Sequence, residues 1–397
     1  MEERLRQRIE QLTTELAPQL LAINRSLFEK PELGIEEYFA CELLGDFLRS
    51  RGFALKTGLG GLPTSFRAEC PALWEGPAFA LLAEYDALPE IGHGCGHNLI
   101  ATSAVGAGAV LLRLLEEGSL GKGRLLVIGA PAEETLGGKI PMLAEGAFEG
   151  IDATVMIHPE TLNIARGKAL AVDHLRFRFL GKSAHAASNP QAGINALEAV
   201  LLTFQAVNAL RQHLPPTARV HGIVTRGGTA ANVIPDLGEA EFMVRMPRRR
   251  ELNLLRERVV DCARGAALAT GCRLEIEAAG LPCDEIRDNP ALSALLEESM
   301  RDQGLMDILP EDPAPGSSDF GNISQAIPAA YSFVACAPPG VEIHSREFAA
   351  ATTTPEGEKA LLTMVRVLAE VGARFWSDPT LRERVYLDFH HRREEVE

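Results

Sequence analysis

Disulfide spacing is missing from this 397-residue chain. Its seven cysteines stand scattered at 41, 70, 95, 262, 272, 283 and 336, an odd number that excludes a small cystine-stapled scaffold. Basic charge is in short supply: 39 Lys and Arg against 54 Asp and Glu leave a net −15, spread along the chain. That balance argues against nucleic acid or an anionic membrane as a partner and says nothing about substrate. Long apolar runs are also lacking. The most apolar stretch, 101–115, is broken by Arg113 and reads as too short to span a bilayer. No apolar segment follows the charges of Met1 to Arg8, so no secretory leader is expected. With unpaired cysteines, the expected location is the cytoplasm. Internal repeats and low-complexity tracts are missing too. What is present is an ordinary globular composition, 46% hydrophobic and 23% charged, long enough for two domains or one large one.

Apolar residues at Leu5, Ile9, Leu12, Leu16, Leu20 and Leu21 repeat with a helical period, and Pro18 is expected to bend or divide that helix. A second helix is expected from about Glu36 to Arg51. Four short apolar runs then lead into polar clusters: 78–83 before Glu84-Tyr85-Asp86, 124–128 before Glu133-Glu134, 153–157 before His158, and 329–335 before the loop carrying His344. Helical stretches at 98–115, 139–148 and 356–376 alternate with them. The pattern predicts an α/β domain, a mostly parallel sheet with helices on both faces, over 1–172 and 287–397. Between them, 173–286 reads as strands and two helices of a smaller inserted α+β domain. In open α/β sheets functional groups gather beyond the carboxyl ends of strands, which is where these polar clusters fall.

The stretch His93-Gly-Cys95-Gly-His97-Asn98 carries the densest chemistry. Cys95 and His97 can face one centre if the glycines let the backbone turn, and thiolate with imidazole favours zinc or a similar first-row metal. Adjacent Glu133 and Glu134 can divide metal binding from proton transfer. His158 adds an imidazole at the same sheet edge, and His344 is a weaker candidate. Cys95, His97, Glu133, Glu134, His158 and His344 are too many for one tetrahedral ion and suit a pair of ions sharing a water.

Further pieces extend the pattern in order over roughly residues 28–355: PELGIEE (31–37), EYDALPEIGHGCGHN (84–98), PAEETLGGK (131–139), HPE (158–160), GKSAHAASNPQAGINALEA (181–199), GGTAANVIPD (227–236), GSSDFGNIS (316–324) and HS (344–345). On these pieces the chain resembles the M20 metallopeptidase superfamily in its amidohydrolase branch. EYDALP and GSSDFGNIS are most similar to the p-aminobenzoyl-glutamate hydrolase and Xaa-basic (β-alanyl-lysine) dipeptidase group. The resemblance implies two divalent ions per subunit, zinc or manganese, on Cys95, His97, Glu134, His158 and His344. It implies Glu133 as general base and then acid, and His185 as an oxyanion donor reaching the partner subunit's site. Asn232 matches a substrate-holding position. Arg245 is a candidate for a substrate carboxylate, with a structural ion pair as the competing use, and Ser317 with its neighbours Ser318 and Asp319 shapes the pocket. Asp86 and His93 are expected to orient ligands without binding metal. The inserted domain is expected to act as lid and dimerisation unit of a homodimer. The implied activity is cleavage of the amide bond of an N-acyl amino acid or dipeptide-like conjugate. An aminopeptidase acting on short peptides and a non-catalytic scaffold are the alternatives.

Overall fold

The computed structural model describes residues 2–70 and 75–394. Helix α1 (Glu2–Glu29) is continuous through Pro18, so the proline does not divide it. Ile9 and Leu12 before the proline and Leu20, Ile23 and Leu27 after it enter one core, and that packing outweighs the ~3 kcal/mol a mid-helix proline costs. After α2 (Tyr38–Arg49) come two strands the sequence did not announce, β1 (Ala54–Thr57) and β2 (Phe66–Glu69). Next follow β3 (Ala78–Glu84), α3 (His97–Glu116), β4 (Arg124–Ala130), α4 (Lys139–Ala144) and β5 (Ala153–Glu160).

The second stretch is β6 (Ala171–Leu180), α5 (Ala196–Arg211), β7 (Arg219–Arg226), β8 (Leu237–Met246), α6 (Arg249–Thr270) and β9 (Arg273–Ala278). The chain ends with α7 (Pro290–Asp302), α8 (Phe320–Ala326), β10 (Ala329–Ala335), α9 (Arg346–Ala351), α10 (Pro355–Ser377) and α11 (Pro379–Glu394).

These elements form two compact units. The first takes residues 1–168, 286–315 and 322–397; the second takes 169–285 and 316–321. Segment 316–321, placed with the larger domain on sequence, groups instead with the second unit. There Leu170 N donates to Gly316 O (2.7 Å) and Arg245 donates to Ser317 (3.2 Å).

In the first unit a six-stranded sheet runs β1-β2-β4-β3-β5-β10. Strands β4, β3, β5 and β10 are parallel neighbours, and β1 and β2 add an antiparallel edge. The fold is therefore α/β with a mostly parallel sheet, as expected. Every residue of β3 is buried, and nearly all of β4 and β5, the signature of strands covered on both faces. Helix α3 is 20 residues long, so the shortness expected for this apolar stretch does not hold. Its apolarity has another cause: 94% of its most hydrophobic window is buried inside the protein. Ala101, Ala104, Ala107 and neighbours let it lie close to the sheet, to α1 and to α10.

The second unit has its own core. Its antiparallel sheet, ordered β7-β8-β6-β9, packs Phe177, Phe179, Phe242 and Val244 against α5 and α6. The opposite face carries charge pairs such as Arg176–Glu241 and Arg178–Glu239, the alternation expected of a half-exposed sheet.

Candidate metal centre

Four neighbouring strands of the first unit deliver its chemistry at their carboxyl ends. Glu84 closes β3, with Asp86 two residues on. Glu133 and Glu134 follow β4, His158 lies near the end of β5, and His344 follows β10. Cys95 and His97 arrive at the head of α3. Two glycines make this approach possible. Gly96 has φ 76°, and a Cβ there would sit 2.4 Å from Pro159, so only glycine lets the Cys95–His97 turn lie against the His158 strand. A Cβ on Gly94 would crowd Ile91 at 2.6 Å, just where Gly94 O accepts His344 N (2.9 Å). His344 itself holds a left-handed backbone (φ 65°), a strain concentrated at a functional loop.

Hydrogen bonding fixes which nitrogen of each ring faces the centre. His97 Nδ1 is 3.0 Å from both Asp86 O and Asp86 Oδ1, two acceptors, so the proton sits on Nδ1. His158 Nδ1 donates to Pro159 O (2.7 Å). The Nε2 atoms therefore point inward. Cys95 Sγ and His158 Nε2 are 3.4 Å apart, and His344 Nε2 is 3.4 Å and His97 Nε2 3.9 Å from Glu134 Oε1. Asp86 also accepts Glu134 N through Oδ2 (2.9 Å), so one buried carboxylate orients two candidate ligands.

Three donor sets emerge, each with all its donor atoms within 4.8 Å of one another. They are Cys95–His97–His158, Cys95–Glu134–His344 and His97–Glu133–Glu134. Nε2 of His97 and Oε1 of Glu134 are buried without a hydrogen-bond partner, as ligand atoms would be in the absence of their ion. Donor pairs about 3.4 Å apart also match two ligands at ~2.1 Å from one tetrahedral ion. The residues fit a divalent metal.

Electrostatics agree. Burial, followed by the charge of His97, lowers the pKa of His158 to about 4, so its ring stays neutral and able to ligate. Burial raises the Cys95 thiol, and a thiolate there calls for a cation. Burial pushes Glu134 upward too, but His344 Nε2 beside its Oε1 (3.4 Å) and the charge of His97 bring it down to about 2. Burial works against a charged His97; Cys95 and Asp86 outweigh it and raise its pKa, so the surroundings demand positive charge at Nε2. His93, buried and lowered to about 4 by burial and then by His97, joins none of the three donor sets.

A family profile, Peptidase family M20/M25/M40, matches residues 80–372. The chain belongs to the M20 peptidase family. It is a hydrolase acting on C–N bonds, and the family expected from the motifs is the one found. Among its relatives, the Xaa-Arg dipeptidase of Mus musculus is 35% identical over 400 residues, 98% of this chain and 92% of the dipeptidase. A p-aminobenzoyl-glutamate hydrolase polypeptide of Escherichia coli is 29% identical over 429 residues, covering 89% of this chain and 88% of that one. A dinuclear metal-binding M20 peptidase from Bacillus subtilis shares the fold with TM-score 0.69 at 22% identity, covering 91% and 99%.

The remaining sequence candidates of this M20 hydrolase lie in the second unit. His185 is exposed; its Nδ1 accepts the amides of Ala187 and Ser188 (3.2 Å each), which leaves Nε2–H as the outward donor. Asn232 is exposed beside it, with its backbone O accepting Ala186 N (3.0 Å). Arg245 is half-buried and forms no ion pair among the described residues, so the structural pair weighed on sequence is not there. Its guanidinium instead donates to Ser317 Oγ (3.2 Å) and meets Met243 Sδ (3.6 Å), and its Nε has no partner.

Three residues escaped the sequence reading. Glu37 is buried, accepts Thr64 Oγ1 (2.7 Å) and Ala132 N (2.8 Å), and so props the turn that presents Glu133 and Glu134. Glu84 and Lys139, both fully buried, form an ion pair at 2.6 Å beside His97. No spacing rule links residues so far apart in the chain. Only the apolar strand running straight into Glu84 hinted that its carboxylate would be buried.

Proposed function

We propose that this protein is a dinuclear metal-dependent amidohydrolase that releases a free amino acid from an N-acyl amino acid or dipeptide-like conjugate. One observation carries the reading: the donor sets Cys95–His97–His158 and Cys95–Glu134–His344 share Cys95, an arrangement suited to two adjacent ions. One thiolate and three imidazoles favour zinc, and the carboxylate admits manganese. When bound, such ions polarise a carbonyl and acidify a water held between them. Glu133, grouped with His97 and Glu134 but not needed in either Cys95 set, takes the proton of the attacking water and returns it to the departing amine. His185 supplies Nε2–H to the oxyanion on the partner copy's centre. Arg245, a cation without a carboxylate, receives the substrate's free carboxylate, a group shared by Xaa-Arg dipeptides and p-aminobenzoyl-glutamate. The dimer forms through the second unit, where edge strand β7 exposes Ile223 and Val224.

The test is amine release by zinc- or manganese-loaded protein, with metal content measured in parallel. The substrates are N-acetyl amino acids, p-aminobenzoyl-glutamate, β-alanyl-lysine, Xaa-Arg dipeptides and a tripeptide, with Glu133→Ala as the blank. Cleavage of one small-conjugate class, lost in a Glu133→Ala protein that still binds two ions, is the expected result. Preference for the tripeptide would establish an aminopeptidase instead. Wild-type turnover by Glu133→Ala would remove Glu133 from the proton-transfer role.

A further inference from the structure

Glu133 and Glu134 are neighbours with different tasks, and two buried carboxylates hold them separately. Asp86 Oδ2 accepts the amide of Glu134 itself (2.9 Å). Glu37 acts two residues earlier: it is fully buried, and its Oε1 accepts the amide of Ala132 (2.8 Å). Ala132 is also fully buried and holds a left-handed backbone (φ 59°), which an L residue keeps only where its surroundings impose it. Here they do. On its other side, Ala132 O accepts the amides of Leu136, Gly137 and Gly138 (3.0, 2.9 and 3.3 Å). Both peptide groups flanking Ala132 are therefore pinned, and the second of them sets the direction in which Glu133 leaves the chain. Gly34 lets the loop of Glu37 lie against this turn, since a Cβ there would stand 2.1 Å from Thr135 Oγ1. Glu37 is aimed in its turn: Oε2 accepts Thr64 Oγ1 (2.7 Å), and Thr64 O accepts the Tyr85 hydroxyl (2.6 Å).

We propose that Glu37 is a positioning residue for Glu133: it locks Ala132 in its strained conformation and so aims the proton-transferring carboxylate, while Asp86 holds the metal-binding Glu134. This goes past bracing the turn as a whole, and it rests on the role proposed above for Glu133. The two holders have separate consequences. Losing Asp86 loosens ligands, so metal affinity falls. Losing Glu37 lets Ala132 relax toward an ordinary backbone and swings Glu133, while His97, Glu134 and His158 keep their own hydrogen bonds. A displacement of ~1 Å at a reacting group costs about 10²-fold in rate. What Glu37 supplies is an acceptor rather than a charge, because Oε1 receives a backbone N–H and Oε2 a hydroxyl. Glutamine has such an oxygen, and its NH₂ can donate to the Thr64 hydroxyl.

The experiment measures kcat, KM and bound metal for zinc-loaded wild type, Glu37→Gln, Glu37→Met and Thr64→Val, on the conjugate class that wild type cleaves. Glu37→Met is also combined with Glu133→Ala, and the residual rate is read under single-turnover conditions. Glu37→Met is expected to keep both ions and a KM within about twofold while losing about 10²-fold in kcat. Glu37→Gln stays within about threefold of wild type, and Thr64→Val falls between the two. In the Glu133→Ala background the Glu37→Met change costs nothing more, since it acts through the absent base. Near-UV circular dichroism checks the packing. If Glu37→Met does not fold, Thr64→Val decides, because it exchanges only a hydroxyl for a methyl: reduced kcat with both ions supports the proposal, and wild-type kcat overturns it. Wild-type kcat in Glu37→Met, loss of an ion, an equal loss in Glu37→Gln, or a further loss in Glu133→Ala each overturns the proposal. In each of these cases turnover by wild type leaves the hydrolase reading standing. A wild type that cleaves no conjugate, or Glu133→Ala with wild-type turnover, overturns the underlying reading and this one together.

Discussion

Asp86→Asn tests how one carboxylate organises the centre. Asp86 accepts from His97 Nδ1 through Oδ1 and from Glu134 N through Oδ2, at 3.0 and 2.9 Å. An asparagine has one carbonyl oxygen and one NH₂, so it can serve only one of these donors. If its oxygen keeps the Glu134 amide, its NH₂ confronts the proton on His97 Nδ1. That conflict clears by moving the ring proton to Nε2, where it blocks the ligand position, or by leaving His97 with the Asp86 backbone oxygen, also at 3.0 Å. The backbone contact limits the damage, and removing an orienting partner of a metal-binding His costs about 10- to 100-fold in affinity. At about 1.4 kcal/mol per tenfold, the expected penalty is about 1.4 to 2.8 kcal/mol. Competition of zinc between the protein and a chromophoric chelator reads it directly. An Asp86→Asn protein that holds both ions as tightly as wild type would refute the orienting role.

Two further outcomes are expected. Burial, only partly opposed by Arg6, raises Glu370 from its ordinary 4.5 to about 7. A raised acid keeps its proton when folded, so its contribution falls as pH rises from 4.5 to 7, by about 3 kcal/mol in all, and is flat above. Urea unfolding of Glu370→Gln against wild type at about pH 4.5 and 7.5 should show the variant gaining that amount, and parallel pH profiles would refute it. If sites are shared across a dimer, mixing Glu133→Ala and His185→Ala proteins after subunit exchange should restore about a quarter of wild-type activity, since half the dimers are mixed and each has one complete site. No recovery on mixing would place His185 outside the partner's site.

The sequence carried the ligands through local signals that survive without the fold: Glu134 and His158 come at or just after the end of an apolar strand, and Cys95 and His97 stand in a glycine-spaced turn at the head of α3. Cys95, His97, Glu134 and His158 are read that way, and the structure brings them together with His344. Strands β1 and β2 left no comparable trace: each is four residues long, β1 is mostly exposed, and the alternation of β2 runs for only two periods. Pro18 does not divide its helix because the core on either side of it, which local helix rules do not see, holds the two halves. The helix expected over 98–115 is found as α3; what was cut short was the apolar run alone, since a charge at Arg113 ends such a run but not a helix. Lys139 was legible only as a helix start; its burial depends on Glu84, which no local pattern pairs with it. The Arg245 ion pair was a reasonable default for a strand arginine, and it fails because the neighbours on its face are Ser317 and Met243.

The order of strands also bears on how the chain is made. His344 and β10 close the first unit's sheet, yet the ribosome delivers them only after the long segment of the second unit has emerged. Until then β5, buried along nearly all its length in the finished fold, is the open margin of a half-built sheet. An uncovered apolar edge is a template for pairing with another nascent chain. Synthesis therefore passes through a window in which three ligand-bearing segments are assembled and a fourth is awaited. Late arrival of β10 both seals the edge and completes the donor set, so protection from aggregation and competence for metal come in the same step.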